Sequence, residues 1–382
     1  MEGDVLAEMD EWGPEKVVCV QDARTGMRGV LVIDNTSRGM GKGGTRMSTG
    51  VTVGEIARLA RTMTWKWAAN DLYFGGAKAG ILGDPHGADK EAQLRAFARA
   101  LANEVPEEYV FGLDMGLNER DAAIMADELG DIGAAVGLPG SLGGLPYDEF
   151  GITGFGVAEA TDAAVSELGF ELVGSRVAIQ GYGAVGFAAA ERLSELGASV
   201  TAISTISGAV VDPDGIDLKL LAALRVEHGD DCVLAYGGSP APESVFEADV
   251  DILIPAARED VITASIAAST TARLVVEAAN MPTFPEARET LFERGIALVP
   301  DFIANAGGIV AAAHSMNARR SPFAVDPEVV FDAVSSKMRA NATSVVAESR
   351  RRAQPAHVTA TGLAQERVAS AMVARGQRDP RA

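Results

Sequence analysis

Cysteine, histidine and lysine are scarce in this 382-residue chain, and long apolar runs are missing. The two cysteines, Cys19 and Cys232, lie far apart, and the four histidines form no zinc-ligand spacing, so we expect neither a disulfide framework nor a metal site. No charge-free apolar run approaches the ~18 residues that a membrane helix needs. The acidic N-terminus lacks the basic and then apolar layout of a signal peptide, so the expected location is the cytoplasm.

Positive charge is also in short supply. The chain has 33 Lys and Arg against 53 Asp and Glu, a net charge of -20, which disfavours nonspecific binding to nucleic acid. Only seven of the basic residues are lysines. This composition suits a high-salt cytoplasm or reflects a simple compositional bias, and the sequence leaves both interpretations open. Because lysine is rare in this chain, each lysine that is present is a candidate for a specific role.

Apolar patterning predicts an α/β protein with two domains. Strand-like and helical segments alternate up to about residue 130, and the glycine-rich segment 132–156 is typical of a crossing between domains. Short apolar runs then alternate with helices, as in a buried parallel sheet. From about residue 327 the chain again reads as helical.

A dinucleotide-binding motif lies at the start of the second domain. Gly181, Gly183 and Gly186 form G-Y-G-A-V-G between a strand-like segment and a helix, which is the context that a Rossmann fingerprint requires. We therefore predict a site for NAD or NADP. The next strand ends on hydroxyl residues, including Thr205, at the position where a carboxylate would favour NAD. Hydroxyls tolerate the 2′-phosphate of NADP better than a carboxylate does. No arginine lies nearby in sequence to bind that phosphate, so NAD and NADP both stay open.

Three of the seven lysines, Lys42, Lys66 and Lys78, fall within 37 residues. Glycines flank Lys42 and Lys78, and we expect them to bring side chain and backbone close to a small ligand. Lys66 shares the apolar face of a predicted helix with Leu59 and Met63, so we expect a buried anion beside it.

Asp114 lies in the apolar, glycine-flanked segment FGLDMG. Alone it would be read as an aspartate that caps a loop. Beside three lysines and a dinucleotide motif, it suggests hydride transfer on a carboxylated substrate.

Eight motifs together resemble a known family. GKGGTRM, MTWK, FGGAKAG, GLDMGLNERD, TGFG, GYGAVG, EAANMPT and PDFIANAGG occur in the order found in the glutamate/leucine/phenylalanine/valine dehydrogenases. The resemblance covers about residues 17–340 and is closest to glutamate dehydrogenase, although the opening segment is more like the leucine branch. It implies reversible oxidative deamination of an L-amino acid to its 2-oxo acid and ammonium.

The resemblance also implies roles for individual residues. Lys66 would hold the substrate α-carboxylate, Lys78 would be the catalytic lysine, Asp114 would transfer protons, and Lys42 would reach the distal carboxylate of glutamate. A lowered pKa, produced by neighbouring cations, would let Lys78 activate water. The positions that correspond to cofactor or substrate contacts are Thr153, Asn280 and Asn305.

Three departures from the family concern the side-chain pocket and its surroundings. Ala312 stands where the family has a serine that also binds the distal carboxylate, Trp67 follows Lys66 in place of asparagine, and DEFGI precedes TGFG. The favoured substrate is L-glutamate, because Lys42 is present. The alternatives are a leucine-, valine- or phenylalanine-type dehydrogenase and a catalytically weak regulatory paralogue.

The implied architecture has three parts. We expect a substrate-binding and oligomerisation domain over residues 1–150 and a Rossmann-type doubly wound NAD(P)-binding domain over residues 151–330. Helices over residues 331–382 should pack back toward the substrate domain. The resemblance further implies a homo-oligomer, either a hexamer or an octamer.

Overall fold

The structure of the chain, a computed structural model, describes residues 6, 9–145 and 150–379. Contacts divide the chain into two compact units. Unit 1 comprises Met1–Pro146, Ala312–Val330 and Leu363–Ala382, and unit 2 comprises Tyr147–Ala311 and Phe331–Gly362. None of the helices in the described part of the chain is long and apolar enough to cross a membrane.

The first part of the chain contains six strands and three α-helices. These are β1 (Lys16–Asp22), β2 (Met27–Asn35), β3 (Gly41–Lys42), β4 (Thr45–Ser48), α1 (Val53–Ala69), β5 (Gly75–Leu82), α2 (Lys90–Ala100), β6 (Tyr109–Val110) and α3 (Glu119–Leu129). Short 3-10 turns follow at Ile132–Ala134 and Gly140–Leu142. Strand β5 lies at the centre of the sheet, where it pairs antiparallel with β2 and parallel with both β3 and β4.

Local sequence accounts for the elements beside the predicted catalytic residues. Helix α1 begins at Thr52, whose hydroxyl accepts a hydrogen bond from the Glu55 N–H, and it buries Ile56, Ala60 and Trp67 against the sheet. Helix α3 begins with a capping box between Asn118 and Asp121. This cap fixes the exit of the loop that carries Asp114.

The second part of the chain has alternating strands and helices followed by long helices. These are α4 (Ile152–Leu168), β7 (Arg176–Gln180), α5 (Ala184–Glu195), β8 (Ser199–Ser204), β9 (Ala209–Val211), α6 (Leu218–His228), α7 (Cys232–Ala235), β10 (Ile252–Pro255), α8 (Ala264–Ser269), β11 (Leu274–Val276), α9 (Pro285–Glu293), β12 (Ala297–Val299), α10 (Asp301–Ala304), α11 (Gly307–Ala318), α12 (Pro327–Arg352) and α13 (Ala356–Ala374). Two further 3-10 turns lie at Gly229–Asp231 and Pro242–Phe246.

The sheet of unit 2 has the strand order β12-β11-β10-β7-β8-β9. All pairs are parallel except β8 with β9, which are antiparallel. The chain leaves β7 in one direction and later returns to β10 on its other side, so the order reverses between these two strands. In open α/β sheets, ligands bind at the carboxyl ends of strands at such a switch point. The predicted Rossmann-type doubly wound sheet is present, and its edge strand β9 was not predicted.

Two segments join units other than those expected from the sequence. Residues 312–330 group with unit 1, whereas the prediction placed them in the dinucleotide-binding domain. Residues 331–362 group with unit 2, and only residues 363–382 of the expected C-terminal helices group with unit 1. Helical periodicity predicts that a segment is a helix, but it does not predict which unit the helix packs against. The division between the units near residue 146 falls inside the glycine-rich segment 132–156, part of which lies outside the described residues.

Candidate active site

Lys78 lies in the middle of β5, where it is only 6% exposed. Side chains two residues apart on a strand share a face, so Gly76 and Gly80 share the face of Lys78. A Cβ at Gly76 would lie 2.1 Å from Thr64 Oγ1, and one at Gly80 would lie 2.7 Å from Ile56 Cδ1. These glycines therefore make room for α1. Packing against α1 is a sufficient reason for glycine at these two positions, and the expectation that they bring bare backbone close to a ligand stays a prediction.

An ion-pair network surrounds Lys78. Its Nζ lies 3.0 Å from Asp114 Oδ2, and Arg46 Nε donates to the same oxygen at 2.9 Å. Arg46 Nη1 in turn donates to Glu55 Oε1 at 2.7 Å. The structure thus brings together Lys78 and Asp114, 36 residues apart in sequence, and adds Arg46, which sequence reasoning did not single out.

The neighbouring backbone explains why Arg46 faces Asp114. The Thr45 N–H donates to the Gly112 carbonyl at 2.8 Å, and the Met47 N–H donates to the Met115 carbonyl at 2.9 Å. Strand β4 therefore runs alongside the loop that carries Asp114, and Arg46 lies between the two contacts. Arg46 belongs to the motif GKGGTRM, which is otherwise poor in charge. The presence of an arginine in that motif could have identified it as a candidate site residue.

Burial and neighbouring charges shift the pKa of both partners. Burial lowers the pKa of Lys78, and the nearby Arg46 lowers it further, against the opposing effect of Asp114. Burial alone would raise the pKa of Asp114, but Lys78 and Arg46 outweigh it and leave that pKa below its ordinary value. The lowered pKa of Lys78 was predicted, but the main cause is burial and not neighbouring cations. Asp114 is accordingly a carboxylate at neutral pH.

Lys42, on β3, is 3% exposed. Its Nζ donates to the carbonyls of Val110 at 3.1 Å and Gly43 at 3.4 Å. A Cβ at Gly112 would lie 2.6 Å from this nitrogen, so glycine there leaves room for the ammonium. Trp67 Nε1 donates to the Lys42 carbonyl at 2.9 Å, which gives a structural reason for tryptophan after Lys66.

The ammonium of Lys42 has an unusual electrostatic environment. Among the residues that the structure describes, no carboxylate forms an ion pair with it. Burial, with the nearby charges of Lys78 and Arg319, lowers the pKa of Lys42 to about 7. A buried cation with only carbonyl partners is ready to bind an anion.

The remaining residues predicted to bind the substrate lie on helices. Lys66 is half-buried in the last turn of α1, one turn after Met63, whose Cγ would lie 3.3 Å from a Cβ at Gly43. Lys66 therefore lies on the side of α1 that approaches the Lys42 segment. Ala312 is half-buried on α11.

The three glycines of the motif GYGAVG have three different environments in unit 2. A Cβ at Gly181 would lie 2.7 Å from Ala257 Cβ, and one at Gly186 would lie 2.0 Å from the Gly181 carbonyl oxygen. These two glycines therefore permit close packing within the protein. A Cβ at Gly183 would have no protein atom within 4 Å. Packing does not require glycine at this position, which is the N-cap of α5 and has no side-chain cap.

Beyond the motif, Thr205 follows β8. Its hydroxyl donates to the Asp230 carbonyl at 2.6 Å and accepts from the Ser207 N–H. Asn305 Nδ2 donates to Asn280 Oδ1 at 2.8 Å, so the structure brings this predicted pair together. A Cβ at Gly308, in the motif NAGG, would lie 3.3 Å from Thr153 Oγ1.

A buried network supports the two asparagine loops. Glu277 is fully buried, and its Oε2 accepts hydrogen bonds from the Asp301 N–H at 2.9 Å and from His357 Nε2 at 2.7 Å. Asp301 Oδ2 accepts from the Met281 N–H at 2.8 Å. These contacts tie the end of β11 to the start of α10, and they explain the close grouping of two carboxylates and a histidine without a metal ion. Sequence reasoning missed this network, because its members lie up to 80 residues apart.

Comparison with known proteins agrees with this geometry. Residues 143–376 match the model of the Glutamate/Leucine/Phenylalanine/Valine dehydrogenase family, and residues 14–131 match its dimerisation domain. The chain belongs to the Glu/Leu/Phe/Val dehydrogenase family. It is therefore an amino-acid dehydrogenase, as the resemblance implied.

Individual relatives of this dehydrogenase span nearly its whole length. The glutamate dehydrogenase of Thermotoga maritima is 36% identical over 360 residues, covering 91% of this chain and 86% of the relative. The NADP-specific glutamate dehydrogenase of Saccharolobus shibatae is 34% identical over 385 residues, covering 95% and 90%. The hetero-hexameric glutamate dehydrogenase of Thermus thermophilus, in a leucine-bound crystal form, is 30% identical, with a TM-score of 0.81 over 97% of this chain and 92% of that one.

The residues of the dehydrogenase fit a dinucleotide at the switch point of unit 2. The open space at Gly183 and the uncapped N-terminus of α5 suit a pyrophosphate. The backbone N–H groups of the first turn of α5 would hold the pyrophosphate, and the bound dinucleotide would supply hydride-transfer chemistry.

Proposed function

We propose that the protein catalyses the reversible oxidative deamination of L-glutamate to 2-oxoglutarate and ammonium, with NAD or NADP as the hydride carrier. The observation that carries this proposal is Lys42, a buried ammonium without an ion pair among the described residues. An anion on the substrate side chain would offset its buried charge. Leucine, valine and phenylalanine have no such group, so an apolar substrate would leave this charge uncompensated.

Two lysines would bind the two carboxylates of glutamate. Lys66 would hold the α-carboxylate and Lys42 the distal one, which fixes the length and orientation of the substrate. A charge-assisted hydrogen bond contributes roughly 1.5–3 kcal/mol, whereas a lost serine hydroxyl at Ala312 forfeits about 1 kcal/mol. The lysine therefore decides the preference for glutamate, and the missing serine raises KM.

Lys78 and Asp114 would move the protons of the reaction. The substrate ammonium group gives one proton to the Asp114 carboxylate, and hydride then passes from the substrate Cα to the dinucleotide, so that a protonated imine forms. Lys78, with its lowered pKa, takes a proton from the water that attacks the imine carbon, which gives a carbinolamine. Asp114 then returns its proton to the nitrogen, and the C–N bond breaks as the departing ammonia takes the hydroxyl proton, so that the carbonyl and ammonium form. Arg46 keeps Asp114 ionised and oriented.

The same proposal assigns cofactor and oligomer. Residues of unit 2, namely Gly181, Gly183, Gly186, Thr153, Thr205, Asn280 and Asn305, would bind the dinucleotide. Titration with NADH and NADPH distinguishes the two carriers. The match to a dimerisation domain and the hetero-hexameric relative support an oligomer. We propose a homo-oligomer, a hexamer or an octamer, whose mass light scattering would measure.

One assay tests the substrate and the main alternative. Oxidation of NADH and NADPH is followed with ammonium and either 2-oxoglutarate or 2-oxo-4-methylpentanoate, in low and high salt. We expect turnover with a preference for 2-oxoglutarate. A preference for the branched substrate would support a leucine-type enzyme, which Ala312 favours, and no turnover with any 2-oxo acid would support a regulatory paralogue. Lys42→Leu should lose 2-oxoglutarate activity and admit the branched substrate.

A further inference from the structure

Arg225 lies in the last turn of α6 and stacks on two aromatic rings at the dinucleotide motif. Its Cζ lies 4.9 Å from the centre of the Phe187 ring and 5.6 Å from the centre of the Tyr182 ring. Tyr182 is the second residue of GYGAVG and is 3% exposed. Phe187 follows the last glycine of the motif, in the first turn of α5. The guanidinium therefore lies beside the helix turn that would hold the pyrophosphate.

The hydrogen-bond donors of Arg225 are not used within the described part of the chain. No carboxylate there forms an ion pair with it, and no oxygen accepts a hydrogen bond from it. Two other arginines of unit 2, Arg192 and Arg339, both pair with Glu159. Stacking on a ring uses the face of a guanidinium and leaves the N–H groups in its plane available to an acceptor. Arg225 is thus held in place with its donors free for an anion.

The adenosine ribose of a dinucleotide lies at the end of the strand that follows the glycine motif, which here is β8. Residues 204–207 include no acid that would accept from the ribose hydroxyls. The Thr205 hydroxyl gives its proton to the Asp230 carbonyl at 2.6 Å, so this proton is not available to a ligand. The same bond fixes the turn that follows α6 beside the end of β8. It therefore keeps Arg225, 20 residues after Thr205 along the chain, near the ribose position.

We propose that Arg225 binds the 2′-phosphate of NADP, so that the enzyme prefers NADP to NAD. This inference rests on the proposed function, which leaves the choice of dinucleotide open, and it names the residue that makes the choice. A phosphate monoester carries about two negative charges at neutral pH, and an arginine fork matches two of its oxygens. NAD has an uncharged hydroxyl at the same position and gains little from a cation there.

Binding of the two dinucleotides tests the assignment without turnover. Fluorescence titration of the whole chain should show tighter binding of NADPH than of NADH. Arg225→Met should raise the dissociation constant of NADPH on the order of tenfold to a hundredfold and leave that of NADH unchanged. Arg225→Lys should lie between Arg225→Met and the parent, because it keeps the charge and loses the fork.

Arg273→Met is the matched control. Arg273 also stacks on an aromatic ring, with its Cζ 3.8 Å from the centre of the Phe170 ring. It directly precedes β11, however, and so lies at the amino end of the strands, opposite the end where a dinucleotide binds. This variant should change the affinity for neither dinucleotide.

The outcomes separate this inference from the proposed function. A parent that binds neither dinucleotide overturns both, whereas a parent that prefers NADPH but turns over no 2-oxo acid overturns only the proposed function. A parent that turns over 2-oxoglutarate but binds NADH more tightly overturns only the assignment of Arg225, and points to the exposed Asp230 as the acceptor for the ribose hydroxyls.

An Arg225→Met variant that weakens both dinucleotides equally, or neither, also overturns the assignment. Should this variant fail to fold, Arg225→Lys decides by displacement of NADPH with adenosine 2′,5′-bisphosphate and with adenosine 5′-monophosphate. The bisphosphate should lose its advantage over the monophosphate in part. A ratio of the two inhibition constants equal to that of the parent would contradict the contact.

Discussion

Lys78 Nζ lies 3.0 Å from Asp114 Oδ2, in a network where the aspartate also accepts a hydrogen bond from Arg46. The lysine is almost fully buried and the aspartate is less so, with side-chain exposures of 8% and 24%. The pair therefore combines a proton acceptor of lowered pKa with a carboxylate that stays ionised at neutral pH. Each group can be tested separately.

Substituting Lys78 should abolish turnover without loss of the fold. Lys78→Ala removes the group that exchanges protons with water, so kcat should fall by roughly 10²–10⁴-fold. Lys78→Arg should not rescue it, because arginine does not release its proton at working pH. The steady-state rate with saturating substrates measures the effect, and dinucleotide binding is the control. Activity within tenfold of the parent would contradict the assignment.

Substituting Arg46 should change the pH dependence. Arg46 lowers the pKa of Asp114, so Arg46→Met should raise that pKa and move the acid limb of kcat/KM to higher pH. Arg46→Lys should move the limb less, because it keeps the charge. An acid limb at the same pH in parent and Arg46→Met would show that Asp114 is not the group that titrates there.

Binding of 2-oxoglutarate should take up a proton above neutral pH. The pKa of Lys42 is about 7 in the free protein, so at pH 8 most of the lysine is neutral. A carboxylate beside it favours the ammonium and raises its pKa, which draws a proton from the solvent. Calorimetry in buffers of different ionisation enthalpy measures this proton. Lys42→Met should abolish the uptake, and 2-oxopentanoate, which lacks the distal carboxylate, should not produce it.

The same lysine should make folding stability depend on pH. A folded pKa of about 7 against an ordinary 10.5 means that the unfolded chain binds more protons between these values. The free energy of unfolding should therefore rise with pH through this window, by about 5 kcal/mol in total. Lys42→Met lacks this rise and should be the more stable protein at pH 7. Denaturant unfolding curves of the parent and of Lys42→Met at pH 7 and pH 9 measure this change. An equal change in the free energy of unfolding in both proteins would contradict a buried charge at Lys42.

Glycine substitutions should separate cofactor binding from stability. Gly183→Val has open space in the protein, so it should keep the melting temperature and weaken dinucleotide binding severely. Gly186→Ala places a Cβ 2.0 Å from the Gly181 carbonyl oxygen, so it should lower the melting temperature. Fluorescence titration and thermal unfolding measure the two effects. Unchanged dinucleotide affinity in Gly183→Val would contradict the predicted site.

The sequence by itself determined the local features of this protein. The motif GYGAVG between a strand and a helix identified β7, α5 and the kind of fold around them, because glycine spacing is read within a few residues. The scarcity of lysine drew attention to Lys42, Lys66 and Lys78, and the order of the motifs indicated the family.

Only the tertiary structure decided which charges face each other. Arg46 binds Asp114 because β4 runs beside a loop 68 residues later in the chain. The glycines around Lys78 serve the packing of α1, which a flanking pattern cannot distinguish from room for a ligand. Burial depends on every element that covers a residue, and so do the pKa values that burial sets. A buried ammonium without a carboxylate partner among the described residues therefore became visible only when the strands and helices around Lys42 were in place.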